Sequence, residues 1–255
     1  MMTESQLLRT TETSLAVIEM IQELDGATPA DLAAALDLSE STVYKHLYTL
    51  GKHGYVVADG DKYQLGGRFY HIGMYVRNRC KVYELAGKYV VELAERSNEE
   101  PDFGIEENGR IVTLFNSVGN SAKPSSRLNN YEYMHTTAIG KAILARLPES
   151  RVDQIVDRWG LPQLTEQTIT SRTELDDELI RTRERGYAIN DQEATSGKRV
   201  AGIVAEDPSE NIIGGFSISG PAYRVGDTDL YQEFPDILRR FVSNFETELD
   251  SQGLV

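Results

Sequence analysis

The stretch TPADLAAALDLSESTVYKHLYTLGKHGYVVADGDKYQL, residues 28–65, decides the fold of the N-terminal part of this 255-residue chain. Its first residues predict the start of a short helix. Thr28 can cap the helix, Pro29 suits the first helical position, and Asp31 completes a capping box. Leu32 and Leu36 then supply the inner face of this helix.

A second helix is predicted over residues 40–50, after a tight turn at residues 37–39 in which Ser39 is the N-cap. Apolar residues at helical spacing form its buried side: Val43, Leu47 and Leu50. Two β-prone segments, residues 55–58 and 62–65, then flank an Asp-Gly turn, which predicts a β-hairpin. An earlier helix ends at Asp25-Gly26, so the order is helix, short helix, turn, helix, hairpin. This order is typical of a winged helix-turn-helix.

The helix that begins at Glu40 presents a polar side that can enter the major groove of DNA. Serine and threonine hydroxyls at its start can reach phosphates or bases, and Lys45 can reach guanine or phosphate. Lys62, near the hairpin tip, can contact the DNA backbone. The predicted DNA-binding residues are Thr28, Ser39, Ser41, Thr42, Lys45, His46 and Lys62. A solvated polar face on a protein-binding helix is the competing interpretation.

Composition limits the class of protein. An apolar fraction of 40% supports a folded core, and no apolar run reaches the ~18 residues that cross a membrane. The N-terminus lacks the basic-then-apolar order of a secretory signal. Cys80 is the only cysteine, so neither an internal disulfide nor a cysteine cluster can form. We therefore expect a cytoplasmic protein.

The formal net charge of −14 is unusual for a protein that binds nucleic acid. Residues 1–66 alone contain ten acidic side chains against Arg9, Lys45, Lys52 and Lys62. Either the protein does not bind DNA, or its whole surface is acidic, as in proteins that remain solvated in concentrated salt. We favour the second explanation. Since salt weakens phosphate contacts, such a protein must depend more on base contacts and dimer geometry.

The remaining chain alternates between strand and helix patterns. Strands are predicted at residues 103–107, 110–117, 187–189, 199–206 and 212–219, and Asn108-Gly109 is a favourable two-residue turn. Helices are predicted at residues 67–97 (with an interruption near 78–81), 137–146, 149–159, 172–185 and 229–249. Paired strands without regular βαβ spacing indicate an α+β domain, an antiparallel sheet flanked by helices.

Residues 214–221, GGFSISGP, contain two hydroxyls on one side of a predicted strand. Ser217 and Ser219 can line a small polar pocket, or the same polar side can simply meet solvent. A hydrolase elbow is not matched, because Ser219 stands where its second glycine is needed. No base lies at an interpretable spacing from these serines, so we expect no enzyme activity.

Metal and cofactor binding are not expected. No His-x-x-x-His or paired-cysteine motif occurs, and His46, His53, His71 and His135 are scattered. Ser196-Gly197-Lys198 is not a phosphate loop, since the upstream glycine is missing.

Several motifs together resemble the IclR family of bacterial and archaeal transcription regulators. Residues 39–45 (SESTVYK), followed by Leu50 and Gly54-Tyr55, look like the family's recognition helix and its turn into the wing. Residues 63–66 (YQLG) resemble the end of the wing, and residues 135–142 (HTTAIGKA) resemble a signature that opens a helix in the effector domain. Residues 183–188 (RERGYA) and 217–221 (SISGP) complete the set.

The resemblance implies a winged domain at residues 1–66, a linker helix at 67–80 and a GAF-like effector and oligomerisation domain at 81–255. It implies a homodimer that can pair into a tetramer, palindromic operators in double-stranded DNA, and small organic, aromatic or sugar-derived acids as effectors. Carried over by position, the effector pocket comprises Ala138 and Ile139 (backbone amides), Asn190, Val200, Ser217 and Ser219. Asn190 stands where an Asp often occurs in the family, and Val200 where a Cys often occurs.

The main hypothesis is therefore an effector-responsive DNA-binding regulator that contacts no membrane. Effector binding is expected to shift the relative pose of the two winged domains through the linker helix. The alternative is a sensory or interaction module that keeps the same fold without binding DNA.

Overall fold

The computed structural model describes residues 7–119 and 131–255. The chain forms two compact units, Met1–Asn78 and Arg79–Val255. The division lies inside the segment, residues 67–80, that the sequence predicts as a linker.

The first unit contains four helices and a hairpin within its described part. Their bounds are α1 Arg9–Glu23, α2 Pro29–Leu36, α3 Glu40–Lys52, β1 Val56–Asp59, β2 Lys62–Leu65 and α4 Arg68–Arg77. The predicted capping box is present: the Thr28 hydroxyl accepts from the Asp31 amide at 3.2 Å, and the Asp31 carboxylate accepts from the Thr28 amide at 3.0 Å. Ser39 caps α3 by accepting from the Thr42 amide. The winged helix-turn-helix is thus confirmed.

An apolar core holds these helices against the hairpin. Its buried members come from all three main helices and from β1: Val17, Ile21, Ala27, Leu32, Ala33, Val43, Leu47, Leu50 and Val56. In the hairpin, Asp59 pairs with Lys62 across a two-residue turn in which Gly60 has φ 64°. That positive φ suits glycine. An isolated bridge from Ala27 to Tyr63 ties the hairpin to the segment before α2.

The second unit is built on a six-stranded antiparallel sheet. Its elements are α5 Lys81–Ser97, β3 Glu100–Glu107, β4 Arg110–Asn116, β5 Tyr131–Tyr133, α6 Ala138–Arg146, α7 Glu149–Trp159, α8 Arg172–Arg185, β6 Ala188–Asp191, β7 Lys198–Glu206, β8 Ile212–Pro221 and α9 Phe234–Ser251. The strand order is β5-β4-β3-β8-β7-β6.

Helices cover both faces of this sheet. On one face, α5 and α9 enclose an aromatic cluster in which the Phe103 and Phe216 ring centroids are 4.8 Å apart and those of Phe216 and Phe245 are 5.1 Å apart. On the other face, α6, α7 and α8 pack over residues of opposite parity, such as Ile111 and Val204. This arrangement confirms the predicted antiparallel sheet flanked by helices.

Three local features differ from the sequence prediction. Strand β3 begins at Glu100 rather than at residue 103, because its first residues pair with Ser219 and its neighbours in β8. The three-residue edge strand β5 was not predicted. The predicted last helix is divided into a π-helical turn, Asp229–Glu233, and α9.

Candidate functional site

One side of α3 is open to solvent. Ser41, Tyr44, Lys45 and Tyr48 are all exposed, and their spacing places them on one stripe opposite the buried side of the helix. Tyr48 is 75% exposed and Tyr44 51%, which is high for aromatic side chains. The stripe therefore combines a cation, a hydroxyl and two aromatic rings that its own unit leaves uncovered.

Three hydroxyl groups meet at the N-terminus of this helix. The Ser39 hydroxyl lies 3.0 Å from that of Ser41 and 2.9 Å from that of Thr42. A helix N-terminus carries partial positive charge and free amides, so hydroxyls placed there suit a phosphate group. The acidic Glu40 lies in the same turn and opposes this preference.

The other predicted DNA-binding residues occupy different places. His46 is half-buried, and its Nδ1 lies 2.8 Å from the Ser14 hydroxyl of α1, so one ring nitrogen is already engaged within the unit. The Thr28 hydroxyl is engaged with Asp31 in the capping box. Lys62 is exposed at the start of β2. The structure thus brings Ser41 and Lys45 onto one exposed stripe and leaves these three residues outside it.

Neither tyrosine of the α3 stripe is among the predicted DNA-binding residues, although the sequence already places Tyr48 on the polar side of the helix. A signal was present in the sequence, because Tyr44 and Tyr48 follow Ser41 by three and seven residues and so share its side of the helix. Aromatic residues in a helix usually belong to the core, so sequence alone does not favour an exposed position for them.

The second unit contains a cavity of about 140 Å³ between the sheet and the N-terminus of α6. Five of the six predicted effector residues line it: Ala138, Ile139, Asn190, Val200 and Ser217. Ser219 does not line the cavity. Its hydroxyl is 1% exposed and donates to the Glu100 carbonyl oxygen at 2.9 Å, because β3 extends far enough to pair with this part of β8.

The N-terminus of α6 lies directly on the sheet. A Cβ atom on Gly202 of β7 would stand 2.9 Å from the Ile139 nitrogen and from Ala138, so only glycine permits this approach. Thr137 caps the helix by accepting from the Gly140 amide at 2.9 Å. Within the described residues, the amides of Ala138 and Ile139 have no hydrogen-bond partner. They can therefore donate into the cavity.

Asn190 adds a third donor. The residue is only 4% exposed, and its side-chain oxygen accepts from the Glu193 amide at 2.8 Å. Because the oxygen is engaged, the amide nitrogen is the free end, and no described residue accepts from it. Since Asn190 lines the cavity, this donor is available to a ligand.

A network of buried charges holds Asn190 in place. The Lys141 ammonium is 1% exposed and contacts the two carboxylate oxygens of Glu193 at 2.5 and 2.6 Å, with Glu178 at 4.0 Å. Burial raises the pKa of Glu193, although Lys141 opposes the shift. For Glu178, burial also acts upward, but Lys141 and Arg185 outweigh it and lower the pKa.

Two carboxyl groups at the other side of the cavity were not predicted. Asp102 of β3 accepts from the Ser217 hydroxyl at 2.8 Å, and Glu132 lies on β5. Burial raises the pKa of Asp102, and burial together with the nearby Asp102 raises the pKa of Glu132 to about 7. Little in the sequence points to them, because they come from separate strands and the chain contains 40 acidic residues.

Over residues 7–119 and 131–255, no three histidine, cysteine, aspartate or glutamate side chains are grouped so that they could hold a metal ion. In the same ranges, no helix combines the length and apolar character needed to cross a bilayer.

Comparison with known families decides the identity. Residues 74–246 match the model described as the bacterial transcriptional regulator IclR C-terminal domain, and residues 10–60 match the IclR helix-turn-helix domain. The chain belongs to the IclR family. An IclR-family protein is a DNA-binding transcriptional regulator with a C-terminal effector-binding domain, which confirms the predicted effector-responsive DNA-binding regulator.

Individual IclR-family relatives match over nearly the whole chain. The "Probable HTH-type transcriptional regulator ArcR" of Halobacterium salinarum is 30% identical over 243 residues, covering 93% of this chain and 92% of the relative. XynR of Escherichia coli is 27% identical, with 97% and 95% covered. The crystal structure of Thermotoga maritima IclR superposes with a TM-score of 0.71 at 25% identity, covering 94% of this chain and 98% of that one.

Proposed function

We propose that α3 enters the major groove with its exposed stripe, residues Ser41, Tyr44, Lys45 and Tyr48, towards the bases. The observation that carries this proposal is the exposure of that stripe in the helix-turn-helix of a DNA-binding family. Tyrosine can contact base edges and thymine methyl groups without needing a phosphate charge. Such contacts keep their strength in salt better than lysine–phosphate contacts do.

Phosphate contacts are assigned to the hydroxyls of Ser39, Ser41 and Thr42 at the N-terminus of α3, and to Lys62 on the hairpin. Thr28 has a structural role as a cap. His46 supports α3 through Ser14 and contacts DNA only through its second ring nitrogen.

The effector binds in the cavity of the second unit, with an acidic group on the amides of Ala138 and Ile139 and on the Asn190 amide nitrogen. Two amides at the N-terminus of α6 and the Asn190 amide nitrogen of β6 have no partner among the described residues, which supports an anionic group at that end. Val200 and Ser217 form part of the wall. Ser219 is not assigned to the effector.

The protein acts as a homodimer on a palindromic operator, and two dimers can pair. A dimer of winged domains explains how a binder with few cations reaches specific affinity, since two half-sites double the number of base contacts. The net charge of −14 and the similarity to a Halobacterium protein support a halophilic, archaeal origin.

A mobility-shift assay on selected genomic fragments tests the DNA-binding assignment. We expect Tyr48→Ala and Lys45→Ala each to weaken specific binding about tenfold, the usual value of one good base contact. Lys88→Ala is the matched control, because Lys88 is exposed on α5 in the other unit and its change removes the same charge. Equal affinity of the wild type and both α3 variants would show that another surface reads the DNA.

A further inference from the structure

We infer that the effector carries a cationic nitrogen group, an amine or a guanidinium, as well as its acidic group, and that Asp102 and Glu132 bind this cation. The inference rests on the proposed effector role of the cavity and narrows the chemical class of its ligand. Its basis is the separation of donors and acceptors on opposite sides of one cavity.

The sheet order fixes that separation. The free amides of α6 lie over Gly202 of β7, and Asn190 lies on β6, at one edge of the sheet. Asp102 lies on β3 and Glu132 on β5, which is the opposite edge strand. Asp102 of β3 pairs with Ser217 of β8, which pairs with Gly202 of β7. Since neighbouring strands are ~4.8 Å apart, the backbones at Asp102 and Gly202 are on the order of 10 Å apart. A short bifunctional molecule can therefore reach both ends, with each of its charged groups near groups of the opposite character.

Glu132 is the residue that most needs a partner. It lines the cavity, and no described residue forms a hydrogen bond or an ion pair with it. Among the described residues, the Ser217 hydroxyl at 2.8 Å is the only hydrogen-bond partner of the Asp102 carboxyl group. Carboxyl groups that are withdrawn from water without a cation are costly to ionise, and a bound ammonium group would remove that cost.

Among residues 7–119 and 131–255, the protein's own cations fill this role only in part. The Lys198 ammonium lines the cavity but lies 3.3 Å from Glu100, so it is shared among three carboxyl groups. Arg110 does not line the cavity, since its guanidinium donates to the Tyr131 carbonyl oxygen and lies 3.8 Å from the centre of the Tyr133 ring. One ammonium beside three carboxyl groups leaves acceptor oxygens for a second cation, whereas the carboxylate of a dicarboxylic acid would be disfavoured there.

The test is calorimetric titration of the full chain with matched sets of small molecules. The first set contains 5-aminopentanoate, hexanoate (which replaces the ammonium by a methyl group) and adipate (which replaces it by a carboxylate). Shorter and longer homologues and the guanidino counterparts extend the set. We expect at least one amino or guanidino acid to bind at least about tenfold more tightly than its methyl and carboxylate analogues, the usual value of a charge-assisted hydrogen bond.

Variants then locate the cation. Asp102→Asn and Glu132→Gln are expected to weaken binding of the preferred amino acid about tenfold or more and to leave hexanoate unchanged. Glu84→Gln, an exposed carboxylate on α5, is the control and should change neither. The melting temperature and the DNA affinity without ligand verify that each variant is folded.

The outcomes separate this inference from the proposed function. If hexanoate or adipate binds more tightly than every amino and guanidino acid, the cationic group is disproved while the effector role of the cavity stands. If no member of the set binds, both the cation and the acid-binding end are rejected.

Discussion

The two units of this chain treat charge in opposite ways. Among the described residues, the winged unit buries an apolar core and keeps its charged side chains at least partly exposed, whereas all buried charged side chains lie in the effector unit: Glu99, Glu100, Arg110, Lys141, Glu178 and Glu193. The acidic excess of the winged unit is therefore a property of its surface. In the effector unit, carboxyl groups are part of the interior.

This difference separates what the charges do. An exposed carboxylate on the winged unit contributes solvation and weakens the approach to DNA, and its effect on folding is small. A buried carboxylate in the effector unit must be paired, protonated or bound to a ligand. Lys141 with Glu193 shows the first solution. Glu132 on β5 is only half-buried, and burial together with the nearby Asp102 raises its pKa to about 7. The cavity lies where pairing is incomplete.

The largest effect is expected for Lys141→Ala. Removing this buried ammonium leaves Glu193 without its partner, and breaking a buried pair costs about 3–5 kcal/mol of unfolding free energy. Lys45→Ala, which removes an exposed lysine, should cost less than about 0.5 kcal/mol. Chemical denaturation at fixed salt measures both. If both variants lose the same free energy of unfolding, charged side chains do not differ in their contribution to stability between the two units.

A smaller effect, with a defined pH dependence, is expected for Glu132. Its pKa rises from 4.5 to about 7 on folding, so the folded protein holds the proton more tightly. The stabilisation linked to this proton is complete below about pH 4.5 and is lost as the pH rises through 7. From pH 4.5 to pH 8, the stability of the wild type relative to Glu132→Gln should fall by roughly 1–3 kcal/mol.

The charges next to Glu132 provide a control for the pH dependence of its stabilisation. Asp102 faces Glu132 and raises its pKa, while Lys198 and Arg110 lower it. In an Asp102→Asn background, the midpoint of the Glu132 transition should therefore move to lower pH. A difference between wild type and Glu132→Gln that stays constant across this pH range would mean that Glu132 is as well solvated as a surface carboxylate.

The capping box of α2 gives an effect of about 1 kcal/mol. Thr28→Ala removes the side chain that accepts from the Asp31 amide, and loss of such a cap costs about 0.5–2 kcal/mol. Thr28→Ser should keep most of the stabilisation, because serine retains the capping hydroxyl. Thr49 is an exposed threonine of α3, and Thr49→Ala should change the stability little. The same denaturation experiment measures all three. If Thr28→Ser lowers the free energy of unfolding as much as Thr28→Ala does, the hydroxyl cap is not the cause of the loss.

The same contrast explains which features the sequence could predict. In the winged unit, caps, apolar spacing and turn residues all act over a few positions, so Thr28, Ser39 and the stripe of Val43, Leu47 and Leu50 point to one answer. In the effector unit, Asp102 and Glu132 meet only through the order of strands β3, β4 and β5. Ser219 was assigned to the pocket by its parity with Ser217, and only the extension of β3 to Glu100 shows where its hydroxyl goes.

The smallest effect on folding is expected at the two surfaces of the winged unit that we propose to contact DNA, where the effect on function is expected to be specific. Lys62→Ala should leave stability within about 0.5 kcal/mol, weaken specific and non-specific DNA binding by the same factor, and reduce the slope of log affinity against log salt by about 1. Tyr48→Ala should weaken only specific binding and leave the salt slope unchanged, because a tyrosine releases no counterions. Titrations of operator and random DNA at several salt concentrations measure both quantities. If Tyr48→Ala also weakens binding to random DNA, or if Lys62→Ala alters the sequence preference, then Tyr48 is not a base contact or Lys62 is not a phosphate contact as proposed.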